Sequence, residues 1–114
     1  MAMHEMSTHE VKVIFNGSAF NKCYFTLDEE KSIRLRRGRD GIFKGFWKSV
    51  DLRDTTGRES VRFSLVARGV PQGGCHLKIL VDNNKLITYG KKDEFRYERD
   101  GWLSKVDVIF LPEH

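Results

Sequence analysis

Short segments in which apolar and polar residues alternate are the feature that most constrains this chain. In the clearest of them, Val61, Phe63 and Leu65 alternate with Arg62 and Ser64. Successive side chains of an extended strand point to opposite faces, so each such segment can bury one face and expose the other. No window of about eleven residues shows the i, i+3, i+4, i+7 spacing of an amphipathic helix. The pattern therefore predicts an all-β protein.

Turn-forming residues divide the chain into about eight or nine predicted strands at spacings near ten residues. Asn16-Gly17 and the run Asp82 to Lys85 are the strongest hairpin signals, and Ile42 to Trp47 is apolar in both phases, which predicts a strand covered on both sides. So many short strands indicate a single antiparallel β-sandwich, with a jelly-roll or immunoglobulin-like topology possible, or else a barrel. The predicted core includes the apolar-phase residues Val61, Phe63, Leu65, Leu77, Ile79, Val106, Val108 and Phe110.

Composition agrees with one globular domain. Of 114 residues, 39% are hydrophobic and 11% are aromatic, which is enough apolar area for a single core and more than a disordered chain carries. We expect a flexible tail over residues 1–9 and one domain over residues 10–114. The longest apolar runs are a handful of residues, whereas a membrane-spanning helix needs about twenty, and the first residues lack the apolar block of a secretory signal. These features predict a cytoplasmic protein, or the processed form of a secreted one.

The two cysteines, Cys23 and Cys75, fall on the apolar phase of their strands, where unreactive buried thiols usually lie. The order Cys23, Trp47, Cys75 matches that of an immunoglobulin domain. However, Trp47 follows Cys23 at too long an interval, and the position of the tyrosine corner is Gly73. We therefore predict two free, slowly reacting thiols, with an inter-strand disulfide as the alternative.

No residue pattern indicates catalysis, a metal site or a cofactor. Cys75 and His76 are an adjacent nucleophile and base, but neighbours in a strand point to opposite faces, so His76 should face solvent. The histidines and cysteines lack metal-ligand spacing, and His4 and His9 lie in the expected tail. We expect no catalytic residue, metal or cofactor. A small enzyme with a site assembled inside a barrel is a third interpretation.

Positive charge is concentrated between Arg34 and Lys48, in a chain of formal net charge +4. Alternation predicts that Arg34 and Arg36 share one strand face, with Lys44 across the Asp40-Gly41 turn. Such a ridge could bind phosphate or sulfate beside an exposed aromatic ring, or it could be an edge hairpin that uses charge to prevent aggregation. The candidate ligand-binding residues are Arg34, Arg36, Arg37, Arg39, Lys44 and Trp47.

The leading functional hypothesis is a non-enzymatic recognition module that binds a partner protein or an extended polymer such as a carbohydrate. It depends on the missing catalytic patterns and on a fold class whose loops and edges commonly bind ligands. An exposed tryptophan platform or a sizeable exposed apolar patch would favour it. The alternative is a nucleic-acid or other polyanion binder acting through Arg34 to Lys48, whose affinity should fall steeply with salt. The oligomeric state stays open.

Overall fold

Two antiparallel five-stranded sheets make up the computed structural model of this protein, which describes residues 8–17, 20–27, 32–69 and 74–112. The sheets pack face to face, so the predicted all-β sandwich is confirmed. The described part of the chain contains no α-helix, only the single-turn 3₁₀ helices η1 (Lys92–Glu94) and η2 (Arg99–Gly101). Nothing in it is a helix of the length and apolarity needed to cross a membrane.

Each sheet is described by its strands in spatial order. Sheet A contains β4 (Arg36–Arg37), β5 (Ile42–Asp51), β1 (Thr8–Asn16), β7 (His76–Val81) and β8 (Asn84–Tyr89). Sheet B contains β3 (Ile33–Arg34), β2 (Phe20–Leu27), β6 (Ser60–Gly69), β10 (Trp102–Phe110) and β9 (Arg96–Tyr97). The count exceeds the predicted eight or nine because one predicted strand divides at the buried Leu35 into β3 and β4, which join different sheets.

The core lies between the sheets and is rich in aromatic rings. Phe25 of β2 stacks on Phe63 of β6 with ring centroids 5.5 Å apart, and it also contacts Trp47 of β5 across the sandwich at 5.4 Å. The Phe25–Phe63 contact lies within sheet B, and the Phe25–Trp47 contact joins sheet B to sheet A, so the rings connect the two sheets as well as filling the space between them. The predicted core residues of β6 and β7 are all buried: Val61, Phe63, Leu65, Leu77 and Ile79.

The predicted core contribution of β10 is wrong. Val106 is 70% exposed, Phe110 45% and Val108 37%, because β10 turns its other phase inward. That inward phase begins at the buried Leu103 and includes Lys105, which lies opposite the buried Leu65 of β6. The alternation correctly predicts a strand, but the phase of Val106, Val108 and Phe110 faces solvent, while Leu103 and Ile109 of the other phase pack inward.

One of the two predicted hairpins is confirmed and the other is wrong. β7 and β8 pair around Asp82 and Asn83, which both have positive φ (52° and 65°), as a two-residue type I′ turn requires. By contrast, β1 and β2 belong to different sheets, so the chain crosses the sandwich after Asn16-Gly17. Gly17 lies against the Phe20 ring, where an added Cβ would come within 2.6 Å of the ring. That close contact, rather than a hairpin, explains the glycine.

Two further expectations differ from the structure. β5 is covered on one side only, since Phe46 on its outer face is 52% exposed. Thr8 and His9, which were expected in the tail, are part of β1. His4 and the rest of the expected tail lie outside the described residues, as does Gly73.

Candidate functional site

The predicted basic ridge is divided between the two sheets. Arg34 pairs with Tyr24 of β2, so it lies on the outer face of sheet B. Arg36 pairs with Lys44 of β5, so these two lie side by side on the outer face of sheet A. Leu35 between them is buried at the crossing, and this crossing prevents Arg34 and Arg36 from sharing one strand face.

The remaining ridge candidates lie near the β4–β5 turn. Arg37 pairs with Phe43, and its guanidinium group lies close to Gly41, whereas Arg39 is exposed within the turn itself. Trp47 is partly buried and packs against the core rather than forming an open platform. The exposed aromatic residue of β5 is its neighbour Phe46, which the sequence analysis did not select.

An apolar strip lies on the outer face of β10, where three of the five large hydrophobic side chains exposed in the described part of the chain are found. We call Val106, Val108 and Phe110 the β10 stripe; they occupy alternate positions of one strand and so lie in a line. Arg62 of β6 is directly opposite Val108. The guanidinium carbon of Arg58 lies 3.9 Å from the centroid of the Phe110 ring, a cation–π contact.

Cations lie beside the β10 stripe and across the rest of the outer face of sheet B. Arg68 lies over the Trp102 ring at 5.7 Å, and Arg96 forms an ion pair with Glu98 at 2.9 Å. The register of the strands places the following cationic residues on this face: Lys22, Arg34, Arg62, Arg68 and Arg96. The face therefore combines a line of apolar side chains with a positive surround.

Polar contacts between the sheets accompany the orientation of β10. The Tyr89 hydroxyl donates a hydrogen bond to Asp107 Oδ2 at 2.5 Å, and the Lys105 amine lies 4.3 Å from the Tyr89 ring centroid. Asp107 Oδ1 also accepts a hydrogen bond from the Val108 N–H at 2.8 Å. Burial and, after it, the Asp107 carboxylate raise the pKa of the Tyr89 phenol, which keeps it a neutral donor. These contacts provide partners for Lys105 and Asp107 on the inner phase, where Leu103 and Ile109 also pack against the core.

The outer face of sheet A carries a second group of cations. Lys44 and Lys78 flank Ile14 on the two strands that neighbour β1. One pair further along, Lys12 lies opposite Phe46, with its amine 5.7 Å from the ring centroid. We call this surface the sheet A cationic face, and its members are Lys12, Arg36, Lys44, Lys78, Lys85 and the aromatic Phe46.

A histidine that bridges two carboxylates joins the sheets at one end of the sandwich. His9 Nδ1 lies 2.6 Å from Asp82 Oδ2, and His9 Nε2 contacts the Glu59 carboxylate. Burial opposes protonation of His9, but the hydrogen bonds and charges of Asp82 and Glu59 outweigh it, so the pKa of His9 is raised. The hydrogen bond from His9 lowers the pKa of Asp82 in turn. The partners lie 73 and 50 residues away in sequence, so no local pattern could have indicated this contact.

The cysteines are both buried free thiols, as predicted. Burial raises the pKa of Cys23 to about 12. Burial also raises the pKa of Cys75, although a hydrogen bond with Tyr97 partly opposes it. His76 is exposed and Cys75 is not, so the adjacent pair forms no dyad. Slow reaction of these thiols stays a prediction.

Among the described residues, no group of three or more His, Cys, Asp or Glu is arranged to hold a metal ion. No family model matches the sequence, and searches of curated proteins and of solved structures likewise find no match.

Proposed function

We propose that this protein is a non-enzymatic recognition module whose β10 stripe binds an acidic segment of a partner protein. One observation carries the proposal: β10 turns Val106, Val108 and Phe110 to solvent, while Lys105 and Asp107 of the same strand point into the sandwich. Contiguous exposed apolar residues with a polar surround are typical of protein interaction sites.

The chemistry of the stripe resembles that of the centres of protein interfaces. Aromatic and arginine side chains dominate the binding energy of such centres, and here Arg58 covers one face of the Phe110 ring. Val106 and Val108 add stiff β-branched side chains, which lose little conformational entropy when a partner covers them. A rigid strand can thus offer this surface without rearrangement.

The surrounding charge indicates an acidic partner. A second copy of the chain placed on the same face would bring Arg62 and Arg68 of each molecule close to those of the other, and like charges in an interface are unfavourable. Carboxylates interspersed with apolar residues would instead match both the stripe and its cations. A carbohydrate ligand is less favoured because Trp47 packs in the core and Arg68 lies over Trp102.

The proposal can be tested with a displayed library of short peptides selected against the native protein. We expect the selected peptides to combine Asp or Glu with apolar residues. Replacing Val106→Thr and Val108→Thr together keeps shape and strand preference but removes the apolar character. This double variant should bind the selected peptides about tenfold more weakly or worse, as judged by fluorescence anisotropy.

A matched control is Ile14→Thr, which makes the same kind of change on the outer face of sheet A and should leave peptide binding unchanged. Peptides that bind the double Thr variant as tightly as the native protein would overturn the proposal. So would a selection that enriches basic sequences, or light scattering that shows the native protein dimerising through the stripe while the double variant is monomeric.

A further inference from the structure

The outer face of sheet A lies on the opposite side of the sandwich from the β10 stripe and has different chemistry. We infer that the sheet A cationic face binds single-stranded nucleic acid, independently of the proposed partner-protein site. The inference combines three observations: the cations in register across neighbouring strands, the exposed ring of Phe46 among them, and the acidic residues kept to the margins.

Cations lie in a row across the strands of sheet A. Arg36, Lys44 and Lys78 occupy one row on β4, β5 and β7, with Ile14 of β1 between the two lysines. Adjacent strands are about 4.8 Å apart, so Lys44 and Lys78 originate about 10 Å from each other. Flexible lysine side chains with this spacing can contact successive phosphates of one extended nucleic-acid strand.

A second row lies one cross-strand pair further along the sheet. It consists of Phe46 on β5, Lys12 on β1, Leu80 on β7 and Lys85 on β8. Cations therefore occur in both rows, and the face is positive over its breadth rather than at one edge. A chain of phosphates lying across the strands would meet a positive side chain along most of its path.

The exposed Phe46 favours single-stranded over double-stranded nucleic acid. Half of this large apolar side chain is accessible to solvent, directly opposite Lys12. Bases stack on aromatic rings regardless of sequence, and only unpaired bases expose their faces. A duplex or a sulfated sugar would use the lysines but would present no unpaired base to the ring, whereas an anionic membrane can also bury an exposed Phe and is distinguished by the vesicle comparison below.

Acidic residues lie at the margins of the face. Asp40 Oδ2 in the β4–β5 turn lies 3.7 Å from Lys44 Nζ, and the Asp82 carboxylate in the β7–β8 turn is paired with His9. The register places neither carboxylate between the two rows of cations, and Glu10, which shares the outer phase of Lys12 on β1, lies beyond the second row. The field above the rows is therefore positive, which favours association with a polyanion.

Fluorescence anisotropy with a labelled oligothymidylate provides the test. Affinity should fall linearly on a log–log plot against salt, and Lys44→Gln and Lys78→Gln should each reduce the slope by about 0.7. Phe46→Leu should leave the slope unchanged but weaken binding about fivefold or more at any one salt concentration, since it removes base stacking and no charge. Circular dichroism checks that each variant is folded.

Arg62→Gln on the opposite face is the matched control and should leave oligothymidylate affinity within about twofold of the native value, because its charge lies across the sandwich. Equal binding by the native protein and Phe46→Leu would overturn the inference, since it would leave only a non-specific charge effect. Tighter binding to duplex DNA, to heparin fragments or to anionic vesicles than to oligothymidylate at matched charge would also contradict it. Loss of oligonucleotide binding in the Val106→Thr and Val108→Thr variant would show that the two surfaces are not independent.

Discussion

At the scale of single residues, His9 shows how much depends on contacts that are distant in sequence. As an isolated histidine near the chain start it has no evident role, yet its ring nitrogens meet carboxylates from both sheets. Asp82 is also held by the Glu10 N–H at 2.9 Å, so the strand start, the β7–β8 turn and the segment before β6 are fixed together. His9 thus both holds these three segments in place and provides a positive charge beside two carboxylates.

This arrangement predicts a specific pH dependence of stability. The pKa of His9 is raised on folding above its ordinary value of about 6.5, so its stabilising contribution is complete below that pH and is lost as the pH rises through the folded-state pKa. His9→Gln should lower the free energy of unfolding by about 1 to 3 kcal/mol at acidic pH and by less at alkaline pH. Urea unfolding across this range measures both values.

His76→Gln is the natural control for that experiment, because His76 is exposed on β7 and its replacement should change the free energy of unfolding by about 0.5 kcal/mol or less. If the native protein and His9→Gln lose stability in parallel as the pH rises, the bridging histidine does not control the dependence. If His9→Gln lowers the free energy of unfolding more at high pH than at low pH, the sign is opposite to the predicted one and the interpretation is rejected.

At the scale of elements, β10 shows what alternation can and cannot predict. Its sequence identifies a strand, but each of its two phases contains apolar residues, and local apolar content favours Val106 and Val108 as the inner side. The structure selects the other phase, with Tyr89 of β8 as partner for Asp107 and Lys105. That partner comes from the other sheet, so the choice could not be derived from the strand alone.

The same reasoning explains the divided basic ridge. Strand faces of β6 and β7 were predictable because one phase is apolar throughout and the other is largely polar. Arg34 and Arg36 would share a face only if they belonged to one strand. Instead, β3 pairs with β2 and β4 pairs with β5, so the chain changes sheet at Leu35 between them. Fold class was therefore predictable, while the composition of each outer face was not.

If polar contacts hold β10 in its orientation, removing one hydroxyl should have a measurable cost. Tyr89→Phe leaves the ring in the core but deprives Asp107 of a donor, so we expect the free energy of unfolding to fall by about 1 to 3 kcal/mol. Tyr24→Phe on the outer face should change it by about 0.5 kcal/mol or less. Chemical denaturation of the two variants tests the difference, and equal stability of both would argue that packing alone sets the phase of β10.

At the scale of the whole molecule, the sandwich separates two chemically different outer faces. Sheet B presents the β10 stripe with its arginines, and sheet A presents lysines around Phe46. The buried aromatic contacts between Phe25, Phe63 and Trp47 connect the sheets through a rigid interior. A rigid interior keeps both faces preformed, so a ligand on one side need not alter the other.

This separation leads to a prediction about simultaneous binding. Face-to-face sheets are about 10 Å apart, and side chains on the outer faces extend the distance further, so charges on opposite faces lie beyond the Debye length of about 8 Å at physiological salt. A saturating acidic peptide should then change oligothymidylate affinity by less than about twofold, and the reverse should also hold because coupling between sites is reciprocal. Titrating each labelled ligand in the presence of the other, with size-exclusion chromatography to detect a ternary complex, measures this coupling. Competition between the two ligands would contradict the assignment of their sites to separate faces, with Lys44 on sheet A and Arg62 on sheet B.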